Sequence, residues 1–233
     1  MNTARTFATA ISEIVLPDVF NPYRDCCPVH DRADAARIRR RNLTQCLEAA
    51  IEARVDTMWI ARDLGYRGGR RTGVPLTDEV HLATASELFG GIDLQRATKG
   101  PVVAERTAAV VWDLLKRIGE PVVLWNVFPL HPHEKNEPLT NRGHTRTERA
   151  ATWPLLEALF SMIAPRRIVA IGRDAANALD GLDIPVSLVR HPSYGGQTEF
   201  VAGMCEVYGI EKRVDPAQFE LGGFFDASSA IAS

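Results

Sequence analysis

Three residues that could do chemistry stand at the ends of segments with the apolar pattern of buried strands. They are the carboxylate of Asp63, the amide of Asn126 and the imidazole of His191. An acid, an amide and an imidazole that face one cleft suit several reactions of the acid–base type. Taken singly, each has a structural alternative: a turn cap, an amide that satisfies backbone groups, and a satisfied ring beneath a turn. Spacing alone favours those structural alternatives.

The elements that would position these residues alternate between strand and helix patterns. Strands are expected over residues 55–61, 121–126, 167–171 and 185–189. Helices are expected over residues 31–53, 102–118, 148–163, 174–179 and 197–208, with Thr147 as the cap of the third. This alternation predicts an α/β fold: a three-layer α/β/α sandwich around a central parallel sheet of about four strands.

The predicted topology gives the three residues a common location. Sites in parallel sheets lie at the carboxyl ends of the strands. The loops 63–76, 126–132 and 190–196 each follow a predicted strand, so they are expected to converge at one edge of the sheet. The stretch 128–147 is a long loop with three histidines, and such a loop inside a compact domain is often functional.

Length and composition are those of a globular protein, with 45% hydrophobic and 24% charged residues among 233. We expect one domain, with a core over about 55–209, N-terminal helices over 1–54 and a C-terminal tail over 210–233. No apolar run is long enough to span a membrane, and the N-terminus lacks the layout of a secretory signal. We therefore expect a cytoplasmic protein without a membrane partner, and a monomer.

Charge and metal-ligating residues give weaker signals. The net charge of −2 means that any contact with nucleic acid must come from local patches, such as the arginines of 67–71 and 142–149. The cysteines at 26, 27, 46 and 205 lack zinc-finger and thioredoxin spacing, so reduced thiols are expected. His131, His133 and His144 share a loop with Glu134 but lack the helical spacing of a zinc hydrolase. No metal is expected, and a metal hydrolase stays an alternative.

The segment His191-Pro192-Ser193 at a strand end resembles the second signature of the uracil-DNA glycosylase superfamily. The first signature of that superfamily is a strand ending in G-Q-D-P-Y-H, or in G-E-A-P-G in its thermophilic-type branch. Here the strand ends in the segment 61–66, with Asp63 at the catalytic acid of the first branch and Gly65 at the final glycine of the second. Asn126 falls at the asparagine that reads the base. The resemblance covers roughly residues 55–204, with 70–75 and 168–172 closer to the thermophilic-type branch.

Several positions depart from these patterns. Leu76 replaces an aromatic residue that stacks on uracil. Gly65 stands where the first branch has a tyrosine that excludes thymine, so Tyr66 would have to form that wall. After Ser193, the segment 194–196 replaces the residues that fill the gap left by the flipped base, and Tyr194, Gln197 or the histidine-rich loop would serve instead. The cysteines do not reproduce the iron–sulfur ligands of the thermophilic-type branch, so no cluster and no other cofactor are expected.

The resemblance implies a monofunctional glycosylase that cuts the N-glycosidic bond of flipped-out deoxyuridine in single- or double-stranded DNA. Its products would be free uracil and abasic DNA. Asp63 would face the cationic sugar and orient the water, neutral His191 would donate a hydrogen bond to uracil, and Asn126 would read the uracil edge. Further substrate contacts are expected from Arg62, Gly65, Tyr66 and Leu76, and DNA contacts from Arg70, Arg71, Arg190, Ser193, Tyr194 and Gln197.

Two alternatives stay open beside the metal hydrolase. One is a glycosylase for other bases, such as mismatched uracil or thymine, hypoxanthine or xanthine. Gly65 and Leu76 are the departures that allow it. The other is a non-catalytic protein that binds abasic sites or other lesions, which the altered first signature and the missing wedge residue suggest.

Overall fold

A computed structural model describes residues 3–211, and a parallel sheet lies at its centre. The expected C-terminal tail lies outside the described residues from position 212 onward. The elements are, in chain order, α1 (Ala4–Ser12), β1 (Val19–Phe20), α2 (Ala35–Glu52), β2 (Thr57–Asp63), α3 (Gly69–Thr72), α4 (Leu82–Leu88), α5 (Arg106–Ile118), β3 (Val123–Phe128), β4 (His131–Pro132), α6 (Arg146–Ile163), β5 (Arg167–Ile171), α7 (Arg173–Ala178), β6 (Val186–Val189) and α8 (Gln197–Tyr208).

The central sheet has the strand order β3-β2-β5-β6, and all its neighbouring strands are parallel. β2 lies between β3 and β5, with Ala61 opposite Asn126 and Asp63 opposite Phe128. Strands β2, β3 and β5 are buried nearly throughout because helices cover both faces of the sheet. That double coverage is the reason their sequences are continuous apolar runs rather than alternating ones.

Side chains alternate between the two faces of the sheet and build two apolar layers. Met58 and Ile60 point into a layer shared with α1, α2, α6 and α7. Trp59 and Ala61 point into the other layer, which α5 and α8 complete. The α/β fold with a central parallel sheet of four strands and helices on both faces is therefore confirmed. Within residues 3–211 no helix is long and apolar enough to cross a membrane.

Some local features differ from the sequence-based expectations. The cap of α6 is Thr145, not Thr147: its hydroxyl accepts the Glu148 N–H, and the Glu148 side chain accepts the Thr145 N–H. This reciprocal capping box requires a spacing of three residues, which Thr147 does not have to Glu148. The expected long loop 128–147 contains β4, which pairs with β1 from the N-terminal segment. The short helix α4 was not expected at all.

Candidate active site

The fold brings the predicted trio to the carboxyl edge of the sheet. Asp63 is the last residue of β2, and Asn126 lies near the end of the adjacent strand β3. Their contact is direct, because the Asn126 Nδ2 donates to the Asp63 carbonyl oxygen at 3.0 Å. His191 follows β6 by two residues, at the same edge. Strand alternation places Asn126, two residues after Leu124, on the face that carries α5 and α8, whereas the Asp63 carboxylate contacts His144, from the loop before α6.

The Asp63 carboxylate is held by two side chains, those of His144 and Arg62. One carboxylate oxygen accepts a short hydrogen bond from the His144 Nδ1 and lies 3.3 Å from the His144 backbone nitrogen. The other pairs with the Arg62 guanidinium, whose second arm reaches the Asp174 carboxylate at 2.7 Å. The Asp63 side chain is only 8% exposed. This chain of contacts orients the carboxylate and shields it from solvent.

The hydrogen bonds of His191 define its tautomer. Its Nδ1 accepts the Ser193 N–H at 3.1 Å and contacts the Ser193 hydroxyl at 2.8 Å. A ring nitrogen that accepts a backbone N–H carries no proton, so the neutral ring has its proton on Nε2. Burial, with Arg62 and Arg190 nearby, lowers the pKa of His191 to about 4. His191 is therefore a neutral hydrogen-bond donor at physiological pH.

Close backbone packing supports the His191 ring. Gly172 has a φ of +92°, and a Cβ there would lie 3.3 Å from the His191 Cβ. At Gly196 a Cβ would fall 2.2 Å from the His191 carbonyl oxygen, a distance that no side chain could accept. The two glycines thus allow the loops after β5 and β6 to enclose the ring.

The amide of Asn126 is buried, and within the described chain its nitrogen but not its oxygen is hydrogen-bonded. The residue is 1% exposed, and its Nδ2 is used by the Asp63 carbonyl. Its Oδ1 has no hydrogen-bond partner in the part of the chain that the structure describes. A buried acceptor without a partner costs about 1–3 kcal/mol, so an Oδ1 left open in this way is suited to a ligand N–H.

The other expected substrate contacts surround this edge in different ways. Leu76 is buried in the layer of α5 and α8, with a φ of +55°, a conformation that side chains rarely adopt. Tyr66 is half-buried and anchored through its backbone N–H to the Asn141 side chain at 3.0 Å. The space beside Gly65 is taken by the Glu105 carboxyl, not by Tyr66: a Cβ on Gly65 would fall 2.3 Å from the Glu105 Oε1.

Arg70 and Arg71 do not lie where the sequence analysis placed them. Arg70 is 4% exposed, packs over the Phe20 ring and donates to the Pro138 carbonyl and the His131 Nδ1. Arg71 is 7% exposed and pairs with Glu79. Both guanidinium groups are used inside the protein, so neither is placed to reach a DNA phosphate. The expected DNA contacts of these two arginines are therefore wrong, because contacts with distant segments, such as that of Arg70 with Pro138, enclose them.

The remaining expected DNA contacts form one exposed rim beyond β6. Tyr194 is 98% exposed and has a φ of +50°. Arg190 is also exposed, with its guanidinium 3.5 Å from the Glu199 carboxylate. Ser193 and Gln197 are half-buried between them, with Gln197 at the start of α8. These four residues lie within six positions of His191 in the chain.

The histidine-rich loop does not gather a metal site. His131 contacts Arg70 and the Thr140 carbonyl, and burial next to Arg70 lowers its pKa to about 3. His133 contacts the Glu134 carbonyl, and His144 contacts Asp63. Among residues 3–211 no three His, Cys, Asp or Glu side chains are grouped as metal ligands. The donor set therefore does not fit a zinc ion or an iron–sulfur cluster.

Two crevices of the described chain lie away from the trio. One is apolar and lined by residues of α2, β3 and the segment 74–75. The other is an open groove beside α4. At the carboxyl edge itself, His144 and Arg62 occupy both oxygens of the Asp63 carboxylate.

The sequence analysis missed three residues of this edge. His144 was considered only as a metal ligand, although its place in the long loop after β3 could have suggested it. No sequence pattern pointed to Asp174 or Glu105 as site residues. The structure places both at the carboxyl edge of the sheet, because α7 and α5 begin there.

No family model matches the chain, and no curated protein matches its sequence. Among the solved structures that it resembles is the wild-type SMUG2 of Pedobacter heparinus. The two share 12% sequence identity and superpose with a TM-score of 0.57, over 90% of this chain and 98% of the other. The likeness extends over nearly the whole of both chains, so this protein has the fold of SMUG2.

Proposed function

We propose that this protein is a DNA glycosylase that hydrolyses the N-glycosidic bond of deoxyuridine and leaves an abasic site. The observation that carries the proposal is the meeting, at one sheet edge, of an oriented carboxylate and an amide with an open acceptor, with the neutral ring of His191 at the same edge near Arg62. The fold that the chain shares with SMUG2 supports it, together with the resemblance of the segments at 61–66 and 191–193 to the signatures of the uracil-DNA glycosylase superfamily.

The chemistry requires two opposite charges to be stabilised. As the bond from C1′ to the base nitrogen breaks, the sugar becomes cationic and uracil leaves as an anion. The Asp63 carboxylate faces the cation and orients the water, whose oxygen bonds to C1′ and whose proton passes to the carboxylate and then to solvent. The His191 Nε2–H donates to the uracil oxygen on which charge builds. One such preorganised donor contributes about 2.7–4 kcal/mol.

Asn126 supplies base recognition. Its open Oδ1 accepts the N3–H of uracil, which satisfies the buried acceptor. Cytosine has no hydrogen at N3, so it would leave the oxygen unpaired and bring two acceptors together. The same amide remains tied to β2 through Nδ2, which keeps it in register with Asp63.

Entry of a base requires the edge to open. Arg62 is 45% exposed and lies over Asp63, with its other arm on Asp174. A DNA phosphate offers Arg62 a stronger bidentate partner than these exposed contacts. Binding of DNA thus draws Arg62 away from Asp63 and exposes the carboxylate to the flipped nucleotide.

The test is uracil release from single- and double-stranded oligonucleotides. Asp63→Asn and His191→Ala are each expected to slow release by about 10²–10³-fold. Asp180→Asn, which removes an exposed carboxylate before β6 at the opposite edge, serves as the matched control and keeps the wild-type rate. A wild-type protein that frees no uracil, or two site variants as fast as the wild type, would overturn the proposal.

A non-catalytic lesion-binding protein is the second candidate, and one observation favours it. Both oxygens of the Asp63 carboxylate already have partners, which is a poor starting point for a group that must handle water. Tight binding to abasic DNA without base release from any substrate would support this candidate against the enzyme.

A further inference from the structure

Glu105 is a partly buried residue whose carboxyl the proposed chemistry does not use. It directly precedes α5, where a side chain commonly caps the helix, but its side chain makes no capping hydrogen bond. Its backbone is engaged there: the N–H donates to the Asp78 carboxylate at 2.6 Å, and the carbonyl accepts the Ala109 N–H at 3.0 Å. Helix capping therefore does not explain why the carboxyl packs against the loop after β2.

The Glu105 carboxyl lies against the backbone of two glycines. A Cβ on Gly65 would fall 2.3 Å from the Glu105 Oε1, and a Cβ on Gly68 would fall 2.2 Å from the Oε2. No side chain fits at either position unless the carboxyl moves. The carboxyl thus fills the space that a side chain at position 65 would otherwise take.

The surroundings of this carboxyl do not stabilise its charge. The structure records no hydrogen bond or ion pair for its side-chain oxygens within residues 3–211. The charged groups that act on it are Asp78, which is of the same sign and is itself paired with His81, and Arg67, which is of opposite sign. Burial and Asp78 raise the pKa of Glu105 to about 7, while Arg67 opposes the shift. A partly buried carboxyl with no recorded hydrogen-bond partner within the described chain loses solvation, so a ligand that hydrogen-bonds to it would stabilise it.

Topology places Glu105 beside the candidate site. α5 leads into β3, and a helix that connects two parallel strands runs antiparallel to them. Its first residues therefore lie at the carboxyl edge, on the face where strand alternation places Asn126. Gly65, against which the carboxyl packs, is two residues beyond Asp63 in the chain.

We propose that Glu105 is a specificity-determining residue, whose carboxyl closes the side of the base pocket next to Gly65 and donates a hydrogen bond to a carbonyl oxygen of the base. This inference rests on the proposed glycosylase function. The closed wall rejects bases with an extra group on that side, of which thymine is the simplest. The neutral acid attracts a carbonyl oxygen of uracil, and the carboxylate repels it.

Two variants separate the roles of size and proton. Glu105→Ala opens the wall and is expected to reduce the preference for uracil over thymine by about 10–200-fold, the range for one methyl-sized group. Glu105→Gln keeps the size and a permanent N–H donor, so the preference for uracil stays.

The pH profile tests the proton separately. In the wild type kcat/KM for uracil falls as pH rises through about 7, because the Glu105 carboxyl loses the proton that it donates. In Glu105→Gln that fall disappears. Glu87→Ala, an exposed glutamate on α4, is the matched control.

Titration of the same proteins with free uracil and free thymine gives a readout that needs no turnover. Weak discrimination between the two bases by Glu105→Ala, and strong discrimination by the wild type, is the expected result. Uracil release with unchanged base preference and pH profile in both variants overturns this inference alone. If the wild type neither binds a free base nor releases one, this inference and the proposed function fail together.

Discussion

The Nδ1 of His144 shares a short hydrogen bond with the Oδ1 of Asp63, and the two residues are 81 positions apart in the chain. The His144 ring is itself supported by Phe128, with ring centroids 5.3 Å apart. His144 thus connects the loop after β3 to the end of β2. It determines which way the Asp63 carboxylate points.

We expect His144→Ala to slow uracil release by up to about 10²-fold, since a small misplacement of a reacting group can cost that much. His144→Asn can still donate to Asp63 and should recover most of the rate. Single-turnover rates check this, and the affinity for abasic DNA should be equal in both variants. Equal rates for the alanine variant and the wild type would mean that His144 does not position Asp63.

The lowered pKa of His191 has a consequence for stability in acid. The folded protein holds this pKa at about 4, below its ordinary value of 6.5. Between these values the unfolded chain binds a proton that the folded chain does not, so this contribution to the free energy of unfolding is complete above pH 6.5 and is lost as pH falls to 4.

Urea unfolding at pH 7, 6, 5 and 4 tests this effect of His191. The wild type should lose more stability over that range than His191→Gln. The buried His131 has a lowered pKa in both proteins and therefore cancels in the comparison. Parallel stability curves for the two proteins would contradict the assignment of a neutral, buried His191.

Two arginines provide a matched comparison between DNA contact and internal support. Arg190→Ala should weaken DNA binding and reduce the slope of log K against log salt by about 1, as expected for one lost phosphate contact. Its thermal stability should not change.

Arg70→Ala should instead lower the free energy of unfolding by about 1–3 kcal/mol, because the Pro138 carbonyl and the His131 Nδ1 lose a partner. Salt titrations and denaturant curves of both variants test the pair, and an unchanged salt slope for Arg190→Ala contradicts its role.

Tyr194 is an exposed aromatic ring in a strained backbone conformation, with a φ of +50°. Such strain often marks a functional position. Tyr194→Gly should keep or raise stability, because glycine accepts this conformation. The same change should slow uracil release from duplex DNA, where a stacked ring contributes about 1–3 kcal/mol, and should affect single strands less. If Tyr194→Gly slowed uracil release equally on duplex and single-stranded DNA, Tyr194 would not fill the gap that the flipped base leaves in the duplex.

Much of the site could be predicted because its residues follow strands. The apolar runs of β2, β3 and β6 are local patterns, and parallel strands bring their carboxyl ends to one edge. The sequence therefore predicts that Asp63 and Asn126 are neighbours, and in the structure the Asn126 amide donates a hydrogen bond to the Asp63 backbone carbonyl. The roles proposed for them stay predictions.

The rest depends on contacts between distant segments. Arg70 was expected on the surface, but Phe20 from β1 and Pro138 from the long loop enclose it. The capping of α6 by Thr145 could have been recognised from its spacing to Glu148, so that error was one of interpretation.

Periodicity and strand order alone determine the α/β layers, the functional edge and the residues that end its strands, because these follow from the backbone repeat and the burial of apolar side chains. Only the tertiary structure decided that His144 orients Asp63, that Arg70 and Arg71 serve the interior and that Glu105 fills the space beside Gly65. Such relationships join residues far apart in the chain, 81 positions for Asp63 with His144 and 61 positions for Arg70 with His131. Packing density and electrostatics, not local pattern, choose such partners.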